Sequence, residues 1–244
     1  MLTFAACNRE PMRSDTVRVA VAANFNAAQE KLAARFTQQT GISVESNYGA
    51  TGALYSQIAN GAPFQVFLSA DAERPERMEN EGLVAPDSRF TYALGALVLY
   101  KPTGIEGGDG ERALRRDSFQ HLAICKPELA PYGLAAQQTL EKLGLWDTIQ
   151  PKLVQGENVT QAFQYVMSGG AEMGFVALSQ VVAQASERIW RVPAEFYAPI
   201  RQDAVLLKSG EDHKGAKAFL AFLKSPEARE IITTAGYTLP DGAA

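Results

Sequence analysis

The stretch from Val17 to Gly41 constrains this chain more than any other, because it joins a buried-strand pattern directly to a helix pattern. Val17-Arg18-Val19-Ala20-Val21-Ala22 is β-branched or small and nearly free of charge, as in a short strand covered on both faces. Phe25, Ala28, Leu32 and Phe36 then recur at helical spacing, with Gln29, Lys31 and Arg35 on the other side and Gly41 as the stop. Between the halves stands Ala23-Asn24. The sequence predicts Asn24 as a helix N-cap, its side-chain oxygen accepting from a free helical N–H. The same free N–H groups, at the positive end of the helix dipole, form a small anion-binding site.

The arrangement recurs. Ile42 to Tyr48 alternates like a strand, Gly49-Ala50-Thr51-Gly52 makes a small-residue turn, and Leu54 and Ile58 mark a helix closed by Gly61. Phe64 to Ala70 is a third strand, after which Asp71 is expected to cap a helix ending at Gly82. Three βα units in succession predict a parallel sheet with helices on its faces. Leu94 to Tyr100 reads as one long apolar strand, and the glycine-rich 104–110 segment after it marks a break in composition. A second series follows. Leu122 to Cys125 leads to a helix starting at Tyr132-Gly133, Leu153-Val154 leads to one starting near Asn158-Val159, and Met173 to Ala177 is a further buried strand. Ala204 to Leu207 and two helices, the second opened by Ser225-Pro226, finish the chain.

At 244 residues the chain is long enough for two lobes, each with a core. The reading is α/β in two lobes, 17–96 plus 202–244 and 97–201, with the ligand crevice between them at the C-terminal ends of the strands. Crossings are expected near Leu97 and Ile200. The net charge of −4 offers no field for nucleic acid or anionic lipid, so an anion must be held by local dipoles. No apolar run reaches the roughly 18–20 residues of a membrane span. Residues 1–16 read as a leader remnant or flexible tether in which Met1 to Cys7 resembles the end of a bacterial lipoprotein signal. Cys125 lies in an apolar run as a buried small hydrophobe, and two cysteines so placed leave the redox compartment undecided.

Catalysis finds little support. His121 and His213 read as solvated surface residues, neither beside a plausible nucleophile, and no nucleophile elbow, phosphate loop or metal-spaced cysteine pair is present. Asp71, Glu73, Glu79 and Glu81 fall on predicted helix surfaces. What remains is four strand-to-helix turns, Ala23-Asn24, Ala50-Thr51, Pro131-Tyr132 and Asn158-Val159. Taken singly, each is an ordinary cap or core position. Together, two from each lobe and none with Lys or Arg at the critical position, they suit a buried dianion held by neutral N–H and O–H donors.

The segment from Val21 to Asp71 resembles the start of the bacterial periplasmic molybdate-binding proteins, the substrate-capturing part of a molybdate ABC transporter. The likeness is carried by the Ala22-Ala23-Asn24 turn and by Leu54, Gln57 and Ile58. It continues through Gly61-Ala62-Pro63 and Phe67-Leu68-Ser69-Ala70-Asp71, with Gln65 where Asp is usual. Tyr132-Gly133, Leu143 to Asp147, Pro151-Lys152-Leu153, Glu157-Asn158-Val159 and Gly236-Tyr237 extend it to Leu239. The resemblance implies a two-lobe periplasmic-binding-protein fold (type II), each lobe a mostly parallel sheet flanked by helices. It also implies a hinge-closing carrier, not an enzyme, that delivers molybdate or tungstate to a membrane permease. The implied oxyanion shell is Ala23, Asn24, Thr51, Tyr132 and the backbone N–H of Val159, with no resident cofactor and no metal bound directly by side chains. On this resemblance the Asn24 backbone starts the helix and its side chain is aimed into the cleft. Family members with a serine first turn place a tyrosine donor where this chain has Ala177; here Tyr132 supplies the aromatic hydroxyl. The implied protein is a periplasmic monomer, with Cys7 as a lipid-anchor position. A sulfate or other small-oxyanion carrier, an enzyme on the same scaffold and a cytoplasmic sensory domain stay open as alternatives.

Overall fold

The computed structural model describes residues 16–240; Cys7 and the rest of the expected leader lie outside the described residues. The elements in chain order are β1 (Val17–Ala22), α1 (Asn26–Thr40), β2 (Val44–Gly49), α2 (Thr51–Ala59), β3 (Val66–Leu68), α3 (Glu73–Asn80), β4 (Phe90–Gly95) and β5 (Leu97–Tyr100). There follow α4 (Gly110–Arg115), β6 (Leu122–Cys125), α5 (Pro131–Lys142), α6 (Trp146–Ile149), β7 (Leu153–Gly156) and α7 (Val159–Met167). The chain continues through β8 (Met173–Ala177), α8 (Leu178–Val181), β9 (Ile189–Arg191), β10 (Ile200–Leu206), α9 (Lys214–Phe222) and α10 (Pro226–Thr234).

Two sheets form, with strand orders β2-β1-β3-β10-β4 and β7-β6-β8-β5-β9. In the first, β1 pairs in parallel with β2 and β3, and β10 runs antiparallel to both β3 and β4. In the second, β6 pairs in parallel with β7 and β8, and β5 runs antiparallel to both β8 and β9. Each sheet thus has a single reversed strand, β10 or β5, in the same place in the order. The parallel strands end at Ala22, Gly49 and Leu68 in one sheet and at Cys125, Gly156 and Ala177 in the other. Those are the ends from which the predicted turns leave.

The run Leu94 to Tyr100 is not one strand. Gly95 ends β4 in the first sheet and Leu97 begins β5 in the second, so the chain changes sheet at Ala96. Hydrophobic alternation reports burial and not which sheet does the burying, so the run reads as continuous. The return is made by β10, whose first residue Ile200 pairs with Gly95. The C-terminal segment closes beside this crossing, since Leu94 and Thr238 exchange backbone hydrogen bonds of 2.8 and 3.1 Å.

The first sheet is covered on one face by α1, α9 and α10, through Phe25, Leu32, Phe36, Phe219 and Ile232. Its other face is covered by α2 and α3, through Leu54, Ile58 and Met78. The second sheet builds a separate core around Leu97, Leu99, Ile124, Leu140, Val166 and Phe175. Cys125 is buried there, and burial pushes its thiol up to about 12, which leaves it an inert apolar side chain.

Candidate functional site

The first turn departs from expectation. Asn24 lies inside a single 3-10 turn, Ala23–Phe25, and its side chain makes no cap hydrogen bond; α1 begins only at Asn26. The amide is used elsewhere. Asn24 Nδ2 donates to Gln202 Oε1 at 2.9 Å and to Tyr237 Oη at 3.0 Å, both buried. A side chain so engaged cannot bend back onto its own helix start.

The second turn is simpler. Ala50 is the extended residue before α2, and Thr51 is the first helical residue. Thr51 Oγ1 accepts the Ala70 N–H at 3.2 Å. A hydroxyl that accepts from its backbone neighbour keeps its own hydrogen for another acceptor. The N-cap of α3 is Ala72 and not the expected Asp71, which stands one residue earlier and whose Oδ1 accepts the Arg74 N–H at 3.1 Å.

The third turn places Pro131 at the first position of α5, so that no N–H is wasted there, and Tyr132 next. Gly133 is obligatory: a Cβ built on it would stand 2.2 Å from the Cys125 carbonyl oxygen. This absence of side chain seats the start of α5 directly on the end of β6 and fixes where Tyr132 projects. In the fourth turn Asn158 is a true N-cap, its Oδ1 accepting from the N–H groups of Thr160 and Gln161 at 3.0 and 3.1 Å. That leaves Val159 as the N–H of the turn that the cap does not engage.

All five predicted residues meet. Ala23, Asn24, Thr51, Tyr132 and Val159 line one cavity of about 10 Å³, together with Ala22, Gly49, Ala50, Ala70, Ala130, Pro131 and Asn158. A cavity this small lies far below the roughly 300–1,000 Å³ of drug-sized sites, so it suits only a small occupant. None of the lining side chains is charged. Asn24, Thr51, Tyr132 and Val159 are all buried. The backbone groups at the starts of α2, α5 and α7 add N–H donors without intrahelical acceptors. Burial, reinforced by the other buried tyrosines, holds the Tyr132 phenol well above its ordinary range, so it is a protonated hydroxyl at neutral pH.

Ala177 ends β8 fully buried and its N–H is taken by Gln180 Oε1 at 3.0 Å; it does not line the cavity. His213 is not simply solvated, since its Nδ1 caps α9 by accepting the Ala216 N–H at 3.1 Å. His121 is exposed. Neither histidine approaches the cavity.

The two halves are joined around this space by hydrogen bonds from residues of both sheets. Gly52 N–H donates to Leu129 O at 2.9 Å, Arg74 Nη2 to Glu128 O at 3.1 Å, Thr160 Oγ1 to Ala23 O at 3.1 Å and Ser179 Oγ to Asn24 O at 3.0 Å. Sequence reasoning missed Gln202, Tyr92 and Ser179 altogether. Tyr237 had a signal in the closing Gly236-Tyr237 pair, and Gln202 had one as a polar residue leading into an otherwise apolar strand.

A pair of sheets closing on a small, uncharged, donor-lined cavity at their strand ends defines a solute-binding protein that encloses its ligand between lobes. The model of the bacterial extracellular solute-binding protein family matches residues 17–238. The chain belongs to that family and, by sequence similarity, stands with its molybdate-binding members. It is 47% identical over 227 residues to the molybdate-binding protein ModA of Rhodobacter capsulatus, covering 93% of this chain and 90% of that protein. With the molybdate-binding protein ModA of Azotobacter vinelandii the identity is 49% over 228 residues, covering 91% and 90%. The solved Azotobacter vinelandii periplasmic molybdate-binding protein superposes with a TM-score of 0.87 at 42% identity, covering 92% of this chain and all of that one.

Proposed function

We propose that this protein captures molybdate in the cavity between its sheets and presents it to a membrane permease of the ABC type on the outer side of the membrane. The observation that carries the reading is the convergence of four turns, from both sheets, on one small and uncharged cavity. The proposed donors are the N–H groups of Ala23, Asn24 and Val159 and the hydroxyls and N–H groups of Thr51 and Tyr132. Asn24 contributes through its backbone, because its side-chain nitrogen is engaged by Gln202 and Tyr237. A dianion loses its hydration on entering such a site, and charge-assisted bonds of roughly 1.5–3 kcal/mol each replace it.

The reading extends to tungstate, a nearly isosteric dianion. It also extends to a monomeric, non-enzymatic protein with lobes 17–96 plus 202–244 and 97–201, and with a lipid anchor at Cys7 outside the described residues. Support for the lobes comes from sheet membership, with Ile200 and Arg201 already paired in the first sheet. Support for a carrier comes from the match to the bacterial extracellular solute-binding protein family. Calorimetry with molybdate, tungstate and sulfate tests the assignment. Molybdate and tungstate should bind with similar affinity and sulfate far more weakly, because a smaller ion leaves donors unpaired. Sulfate displacing molybdate at comparable concentration would refute it.

A further inference from the structure

Gln202 has no solvent exposure and lies on β10, the strand that returns the chain to the first sheet. Its Oε1 accepts from Asn24 Nδ2 at 2.9 Å and faces Tyr92 Oη at 3.1 Å, while its Nε2 donates to Tyr132 Oη at 3.4 Å. The single Tyr92 hydrogen is shared with the Ser69 carbonyl, also at 3.1 Å, so the orientation comes from Asn24, whose Nδ2 is itself fixed by Tyr237 Oη. The Gln202 oxygen turns to that donor, which leaves its nitrogen towards Tyr132. A phenol that accepts from Gln202 cannot donate to it, so its hydrogen is left for the cavity. Tyr132 stands on the second lobe's α5 and Gln202 on the first lobe's β10, so this contact exists only when the two halves are together.

The backbone around the pair leaves room for it. A Cβ on Gly95 would stand 2.2 Å from Tyr132 Oη and 2.8 Å from Gln202 Nε2, so the hydroxyl occupies space that only glycine vacates. Gly95 is paired with Ile200 in the same ladder that carries Gln202 opposite Ala93. The ladder shifts register between Gln202 and Asp203. Gln202 reaches the cavity network while Asp203 bonds Thr91 Oγ1 at 2.7 Å and Arg89 Nη1 at 3.1 Å.

We infer that Gln202, with the space left by Gly95, is a positioning residue for ligand capture: it turns the Tyr132 hydroxyl into a donor to the oxyanion. The inference rests on the reading of the cavity as an oxyanion site and deepens it. Asn24 in turn holds Gln202, so a chain of buried side chains on one lobe sets the proton direction of a donor on the other.

The test is molybdate calorimetry on Gln202→Met and Gly95→Ala, each made in the wild-type and in the Tyr132→Phe background. Gln202→Met keeps the length and removes the bond, and should weaken molybdate by about three- to tenfold, the value of one neutral hydrogen bond. In the Tyr132→Phe background the same change should cost less than about twofold, because there is no hydroxyl to orient. Gly95→Ala should weaken binding in the wild type and weaken it less with Tyr132→Phe, where the 2.2 Å approach to the hydroxyl is gone and only the approaches to Gln202 Nε2 at 2.8 Å and to the ring carbon at 3.1 Å remain. Equal losses in both backgrounds, or no loss in the wild type, would overturn the inference while leaving the carrier reading intact. A wild type that does not bind molybdate would overturn that reading and the inference together.

Discussion

Thr51→Val separates what the threonine hydroxyl does for the ligand from what it does for the fold. Valine keeps the branched shape and removes the oxygen. In the structure Thr51 Oγ1 has one protein partner, the N–H of Ala70 at 3.2 Å, and both residues are buried. Losing that acceptor strands a buried N–H whether or not ligand is bound, so the cost of about 1–3 kcal/mol belongs to stability and cancels in affinity. For a chain of this size each kcal/mol lowers Tm by roughly 2–4 °C, giving a drop of about 2–12 °C without ligand. The hydroxyl's hydrogen is the part proposed for the oxyanion. Its loss removes a charge-assisted bond of about 1.5–3 kcal/mol, or roughly 10- to 150-fold in Kd. Calorimetry with molybdate reads the second quantity and thermal unfolding of the ligand-free protein reads the first. Thr51→Ser restores the hydroxyl and should recover most of both. A Thr51→Val protein that loses stability but binds molybdate as tightly as wild type would show that the hydroxyl is a buried structural acceptor and not a ligand donor.

Three further outcomes are expected from the same structure. Ser179→Ala removes the bond to the Asn24 carbonyl across the lobes without touching the cavity wall, and should weaken molybdate by about three- to tenfold in calorimetry. Arg89→Met leaves Asp203, whose side chain is 1% exposed, with Thr91 and a distant Arg201. It should lower urea-unfolding stability by about 3 kcal/mol, as loss of one partner of a buried pair does. Burial raises the phenols of Tyr92, Tyr132 and Tyr237 above their ordinary value. Tyrosine in the unfolded chain titrates near 10, so the folded state binds these protons more tightly. Their stabilisation is complete below about pH 10 and is lost as pH rises beyond it. Melting temperature should be flat with respect to these groups from pH 7 to about 9.5 and fall above that; a fall centred near pH 8 would contradict the burial.

The βα units were legible because each is local: a buried strand, a small-residue turn and a helix follow one another within about a dozen to two dozen residues. The four turns were legible for the same reason, and their meeting in one cavity follows from parallel strands ending on the same side. What was not legible is long-range. Asn24 is separated by 178 residues from Gln202 and by 213 from Tyr237, and no local pattern says that its amide will serve them instead of its own helix. The sheet change at Ala96 was hidden for a related reason, since both halves of the Leu94 to Tyr100 run are apolar for different cores. Tyr92 lies just upstream of it on β4, its ring packed 4.8 Å from that of Phe25, which also meets Tyr237 at 5.2 Å. In the sequence Phe25 is one of a row of apolar residues at helical spacing, yet in the fold it is the surface on which two members of the polar network rest.

The hydrogen bonds that join the lobes fall into two sets with different consequences for the proposed capture. One set, Gly52 to Leu129, Arg74 to Glu128, Thr160 to Ala23 and Ser179 to Asn24, is complete within the protein. Each such bond nets about 0.5–1.5 kcal/mol against solvent, and together they oppose the entropy of lobes that would otherwise move apart. The other set is the cavity's donors, which on the proposed reading have a full complement of acceptors only when an anion lies among them. Without an ion, closure would strand those donors; with one, it would satisfy them. The first set therefore fixes the fraction of closed protein, which scales the apparent affinity of any ion that fits, since the observed Kd is the intrinsic one divided by that fraction. The second set fixes which ion fits. Substitutions among the latch residues should shift all ligands by one factor, whereas those at Thr51, Tyr132 or Gln202 should change the ratios between ligands, so affinity and selectivity are set by different residues of one closed structure.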